Sequence, residues 1–189
     1  MAIVRHDSNI RKSASNKQSS QSFVRASILR GNLNVQENFV EMGGCFILGY
    51  YLQNALSLKS YKIVARILSL AHDILTEVQH YMTDSTSQTK SSLKVVALGL
   101  TGELWCQSTY QMFQIQYRIQ NNTSVIETVL RTVESMITYC QKNFPKLSTE
   151  EILQDLKSRW SISSKEALDD DWRNDLLELV NSIESKLYI

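Results

Sequence analysis

Asn34 to Leu58 reads NVQENFVEMGGCFILGYYLQNALSL, and the reading of this stretch decides the fold class. Apolar residues run round nearly the whole circumference between Cys45 and Leu52. That pattern predicts a helix buried on most sides, around which the remaining chain packs. Three of the six glycines, Gly43, Gly44 and Gly49, fall inside it. Each costs about 1 kcal/mol relative to alanine in a helix interior, so close approach of a neighbouring helix is the expected compensation. Asn34 with Glu37 has capping-box spacing, in which each side chain satisfies an orphan backbone N–H at the helix start. The helix is expected to end near Ser57.

Outward from that stretch, helical patterns follow one another to the C-terminus. Residues 60–82 carry the cleanest stripe, with Val64, Ile67, Leu68, Ala71, Leu75, Val78 and Met82 on one face. A polar loop is expected at 83–91. Residues 92–120 predict a long helix with Leu93, Val96, Ala97, Leu100, Leu104, Met112, Ile115 and Ile119 inward and a kink near Gly99 to Gly102. Ser124 with Glu127 repeats the capping pattern before the stripe Val125, Ile126, Val129, Leu130, Val133, Ile137 and Cys140, which Pro145 should stop. Ser148 with Glu151 and Ser163 with Glu166 have the same spacing before shorter helices. The last helix presents Trp172, Leu176, Leu179, Val180, Ile183 and Leu187. Before the opening stretch, residues 21–30 predict a short helix with Phe23, Val24 and Ile28 inward and Gly31 as its C-cap. Residues 1–20 are serine-rich and basic with few large apolar groups, and read as a disordered tail.

The expected fold is all-α: a single helical bundle of about six to eight helices over residues 21–189, two long antiparallel hairpins followed by shorter helices. One proline and six glycines are too few for the frequent turns of an all-β chain. Leu48-Gly49, Tyr61, Val64, Leu68 and Ala71 faintly resemble a tetratricopeptide repeat. The longer connection, the missing terminal proline and a fifty-residue echo (Leu48 to Leu98) depart from that pattern. Two antiparallel hairpins of a bundle account for the same residues.

Net charge is +1, which gives no global pull toward nucleic acid or membrane. The ends differ, however. Residues 1–30 hold six bases against one acid, a net +5, while residues 150–189 hold ten acids and five bases, a net −5. Cys45, Cys106 and Cys140 are odd in number, widely spaced and within helical patterns, so buried free thiols in a reducing compartment are expected. With no apolar leader and no apolar run long enough to span a bilayer, the expected location is intracellular, cytoplasmic or nuclear.

Chemistry-bearing patterns are sparse. Asp73, Glu77 and His80 share a helix face, yet no second carboxylate–histidine pair closes a metal site, and none is expected. No phosphate loop or nucleophile motif occurs, so neither a cofactor nor enzyme activity is expected. Trp105, Tyr110, Phe113 and Tyr117, interleaved with Gln111 and Gln114, are the candidate partner surface, because exposed aromatics add contact area at little ordering cost. Arg5, Arg11, Lys12 and Lys17 in the tail, with Lys59, Lys62 and Arg66, are the candidate basic patches. The expected function is a non-catalytic protein–protein interaction module, an adaptor or scaffold subunit. The competing reading is a nucleic-acid-associated coat protein whose tail engages phosphates. A third, an apolar-ligand carrier, needs a cavity that sequence does not reveal.

Overall fold

Gly43 divides the decisive stretch in two. In the computed structural model, which describes residues 28–84, 87–119, 123–162 and 170–187, this glycine has φ +76°, a left-handed conformation that costs a glycine little. Helix α1 (Leu33–Glu41) ends before it and α2 (Gly44–Ser57) begins after it. The first cap is Asn32, whose Oδ1 accepts the Val35 N–H at 3.2 Å. Glu37 accepts the Ser92 hydroxyl at 2.7 Å, so the expected Asn34–Glu37 box does not form. Gly31, at φ +71°, does take the left-handed role expected of it, but Ile28 points outward and Leu29 is buried in its place.

Nor is the stretch central. Cys45, Gly49, Leu52, Ala55 and Leu56 are buried, while Phe46, Ile47, Tyr50 and Tyr51 face outward. The centre is α3 (Tyr61–Asp84) packed on α6 (Thr123–Met136). Their facing stripes, including Val64, Leu68, Leu75 and Val78 against Val129, Leu130 and Val133, are wholly buried at the expected spacing.

Between them lie α4 (Ser87–Leu100) and α5 (Glu103–Ile119). The expected kink is a full break at Thr101-Gly102, and the expected loop at 83–91 is shorter, since α4 already starts at Ser87. After α6 a 3₁₀ turn (Gln141–Asn143) leads to α7 (Lys146–Ile162) and then α8 (Asp170–Leu187). α6 stops at Met136, well before Pro145. The Pro145 carbonyl accepts the Thr149 N–H at 2.9 Å, and the Ser148 hydroxyl donates back to that carbonyl, so Ser148 lies inside the first turn of α7 and does not cap it. The expectations for residues 1–20, Phe23, Val24 and Ser163 with Glu166 fall outside the described residues.

Contact runs α1–α4–α3–α6–α8–α7, with α2 laid across α3 and α5. The all-α bundle is therefore as expected, and the helices with described bounds number eight. Cys106 and Cys140 form a disulfide between the start of α5 and the exit of α6, with Cα atoms 5.4 Å apart. This corrects the expectation of three free thiols: Cys106 on α5 and Cys140 just beyond α6, 34 apart in sequence, are brought together by packing. Cys45 alone remains a free, buried thiol, and burial pushes its pKa up to about 12.

Candidate interaction surface

Phe46 with Tyr50 and Ile47 with Tyr51 stand four residues apart, so they form two adjoining rows along the outer face of α2. Their exposures run from 52% to 72%, with Met42 exposed at 75% where the helix enters and Leu58 at 77% where it leaves. A contiguous apolar stripe of this kind marks interaction sites, whereas single exposed apolar residues are ordinary.

The other face of α2 holds the stripe in place. The Trp105 Nε1 donates to the Cys45 carbonyl at 2.9 Å. A Cβ on Gly49 would lie 3.1 Å from both Leu104 Cδ2 and Trp105 Nε1, so α2 sits close on α5. Rolling the helix to bury its aromatics would break that hydrogen bond and pull Leu52 from the core. The sequence reading pointed to this approach correctly at Gly49, whereas Gly43 lies between helices and a Cβ there would meet nothing within 4 Å.

Three cations stand at the C-terminal end of the stripe. Ala55 and Leu56 carbonyls accept the Ser60 and Lys59 N–H groups at 2.8 and 3.0 Å, the paired bonds of a Schellman turn. That turn places Lys59 at φ 55°, the only non-glycine with positive φ among the described residues. Glycine is the relaxed residue there. Lys62 and Arg66 follow in the first two turns of α3, which has no acid in its first turn to suit the helix dipole. All three are exposed and none makes an ion pair among the described residues. Arg5, Arg11, Lys12 and Lys17, the other basic candidates, lie outside those residues.

The aromatic candidates on α5 are placed differently from the sequence reading. Trp105 and Phe113 are 2% exposed and belong to the core. Tyr110 is half-buried, edge-on to Phe144 with its hydroxyl 2.8 Å from that of Ser148, and Tyr117 lies under the Arg159 guanidinium. Gln114 donates to the Tyr110 hydroxyl at 3.1 Å, and Gln111 is exposed. Because α2, α6 and α7 all pack on α5, its aromatics are buried or half-covered. Exposed Phe46, Tyr50 and Tyr51 were missed because all-round hydrophobicity reads as burial; the polar Gln53, Asn54 and Ser57 in the same rows were the available signal.

The carboxylates of α3 are engaged in structure. Asp73 pairs with Arg30 at 2.6 Å. Glu77 accepts the Gly31 N–H at 2.9 Å and Gln36 Nε2 at 2.7 Å. No group of three potential metal ligands occurs among the described residues. Further along, α8 is fixed to α6 by polar contacts. Trp172 donates to Glu127 at 3.0 Å, and that bond, helped by Arg131, holds the Glu127 carboxyl below its usual range despite burial. Burial would raise Glu134, but the Ser182 hydroxyl and Lys186 ammonium outweigh it and keep it low. Burial also depresses His72, whose Nδ1 lies 2.6 Å from the Ser135 hydroxyl. The Ser135 hydroxyl also lies 2.8 Å from the Arg131 carbonyl.

Residues 11–188 match the family model described as the SIL1/FES1/HPBP1 C-terminal domain. The chain belongs to this family. The SIL1/FES1/HPBP1 proteins are nucleotide exchange factors for Hsp70, so their work is protein–protein interaction and not catalysis in the usual sense. No curated protein sequence and no solved structure matches the chain. No helix among the described residues is long and apolar enough to cross a membrane.

Proposed function

We propose that this chain binds an Hsp70 chaperone and accelerates its nucleotide exchange, docking through the outer face of α2 and the basic end at Lys59, Lys62 and Arg66. The observation that carries the reading is the family match over residues 11–188. The exposed Phe46, Ile47, Tyr50 and Tyr51 supply the apolar part of an interface, and unpaired cations beside them supply charge that selects an acidic neighbour on the partner. In this reading the module is an exchange factor and not a passive scaffold. The Cys106–Cys140 bond favours an oxidising compartment, since disulfides are rare in cytosolic proteins. Of the cytosol and endoplasmic reticulum lumen, the two locations found in the family, the lumen fits better.

The test is release of a fluorescent ADP analogue from an Hsp70 chaperone, followed with and without the protein. Faster release supports the function, and unchanged release together with no detectable complex would overturn it. A Phe46→Ala/Tyr50→Ala variant separates surface from function. If it folds normally but loses acceleration, α2 is the docking face; if it accelerates like the wild type, docking is elsewhere.

A further inference from the structure

A groove of ≈ 380 Å³ opens between α6 and α8, lined by Arg131, Glu134, Asp175, Glu178, Leu179 and Ser182. Three carboxylates face one guanidinium there. Two of the four charges are already answered inside the fold: Arg131 pairs with Glu127 at 2.9 Å, and Glu134 with Lys186 at 3.2 Å. Asp175 and Glu178, three residues apart on α8, are exposed and make no ion pair among the described residues. The groove therefore presents uncompensated negative charge above an apolar floor at Leu179, which is 9% exposed. It is suited to an extended basic segment whose aliphatic stems lie along the leucine while its charged ends meet the acids.

We infer that the occupant is the chain's own N-terminal segment, residues 1–27, and two further observations support this. The first is charge: the segment holds Arg5, Arg11, Lys12, Lys17 and Arg25 against Asp7 alone, a net +4. The second is where it joins the fold. Arg30 is tied to Asp73 on α3, and the preceding residue, His72, contacts Ser135 of α6. Ser135 is the immediate neighbour of the groove residue Glu134. The segment thus joins the fold on α3, and the groove lies beyond α6, the helix that packs between α3 and α8. Lys17 is eleven residues before Ile28, and a chain of that length spans up to roughly 35 Å, more than the roughly 20 Å of two helix diameters between α3 and α8. The family model also begins at residue 11, which puts Arg11, Lys12 and Lys17 within the same domain as the groove. The inference is independent of the proposed chaperone binding, because the groove lies on α6 and α8 and not on α2.

Carbodiimide cross-linking of the full chain tests it, since this reagent joins an amine to a carboxylate only where the two touch. At low salt, mass spectrometry should find Lys12 or Lys17 joined to Asp175 or Glu178. The products should vanish at about 1 M salt, where the Debye length falls to about 3 Å. They should also vanish in an Asp175→Asn/Glu178→Gln variant that keeps wild-type helicity and melting temperature. Mixing isotopically heavy and light chains identifies intramolecular products, which must be heavy–heavy or light–light. The inference is overturned if Lys12 and Lys17 join acids elsewhere with equal yield, if heavy–light products form at the yield expected of random pairing between chains, or if none form.

Discussion

Helices α2 and α5 lie against each other, yet their aromatic residues face opposite ways. α5 turns Trp105 and Phe113 into the core and half-covers Tyr110 and Tyr117 against α7, while α2 leaves Phe46, Tyr50 and Tyr51 in solvent. The more apolar sequence is the more exposed helix. Burial follows position in the stack: α5 has α2, α6 and α7 as neighbours, whereas the outer face of α2 has none among the described residues. An aromatic face kept open at the cost of exposed apolar surface is what an interface requires of a free subunit.

The largest test of this contrast compares two phenylalanines. Phe113→Ala should destabilise by about 3–5 kcal/mol, through lost transfer energy and a cavity. Phe46→Ala should stay within about 0.5 kcal/mol, as for surface changes generally. Denaturant unfolding of both variants decides it, and equal costs would mean that α2 is covered in the free protein.

Next comes the disulfide, which anchors the α5 end of the contrast. Replacing Cys106 and Cys140 together by serine should cost about 2–4 kcal/mol, as expected when a loop of 34 residues is released in the unfolded chain. Trp105, adjacent to Cys106, bonds the Cys45 carbonyl of α2, so hydrogen exchange across α2 should rise along with global destabilisation. Loss of stability without any change in α2 would show that the two helices are uncoupled.

A smaller effect separates the closed α3–α6 centre from the open face. Burial lowers the His72 pKa, so between that value and the ordinary histidine range near ~6.5 the unfolded chain binds more protons than the folded one. Stability is then full above the ordinary value and declines as pH falls through this window. The lowered Glu127 carboxyl adds a loss in the same direction at lower pH, below the usual carboxylate value. Unfolding free energies of wild type and His72→Asn from pH 7.5 to 5.5 check the sign, using about two units of pH around the histidine range. A wild-type curve flat across that window, or equally steep in the variant, would remove His72 from the account.

Legibility in the sequence followed how local the deciding physics is. The stripes of α3, α6 and α8 were readable because a 3.6-residue period with polar residues between leaves one face to bury. Gly49 was readable as a close approach because a glycine inside an apolar helix needs a neighbour. The capping boxes read as signals at Asn34 and Ser148 did not act as caps: Glu37 bonds Ser92, and Ser148 sits inside its helix, while Glu127, the acid of the third box, bonds Trp172. Each of these acids or hydroxyls had a tertiary partner that a short sequence window does not contain. The disulfide and the open face of α2 depend on which helices become neighbours, and no residue of α2 or α5 encodes that alone. The cations Lys59, Lys62 and Arg66 were visible from the sequence, since basic residues at a helix start oppose its dipole wherever it packs.

The smallest effect concerns Lys59. A side chain at φ 55° carries left-handed strain of about 1–2 kcal/mol, which glycine relieves. Glycine's greater freedom in the unfolded chain returns about 0.5–1 kcal/mol of that. The position lies between the C-terminal end of α2 and the N-terminal end of α3, where the two helix dipoles act on the ammonium in opposite senses. Lys59→Gly should therefore stabilise the protein by about 0.5–1 kcal/mol, the difference of the two backbone contributions. Asparagine also tolerates the left-handed region, and Lys59→Asn supplies a neutral side chain without glycine's freedom. If Lys59 contributes charge to chaperone docking, both variants should bind more weakly while remaining at least as stable as wild type, and the loss should shrink at high salt. Weaker binding by the glycine variant alone would trace the effect to the flexibility of the turn. Unchanged binding by both would take Lys59 out of the interface and leave the apolar rows of α2 to carry it.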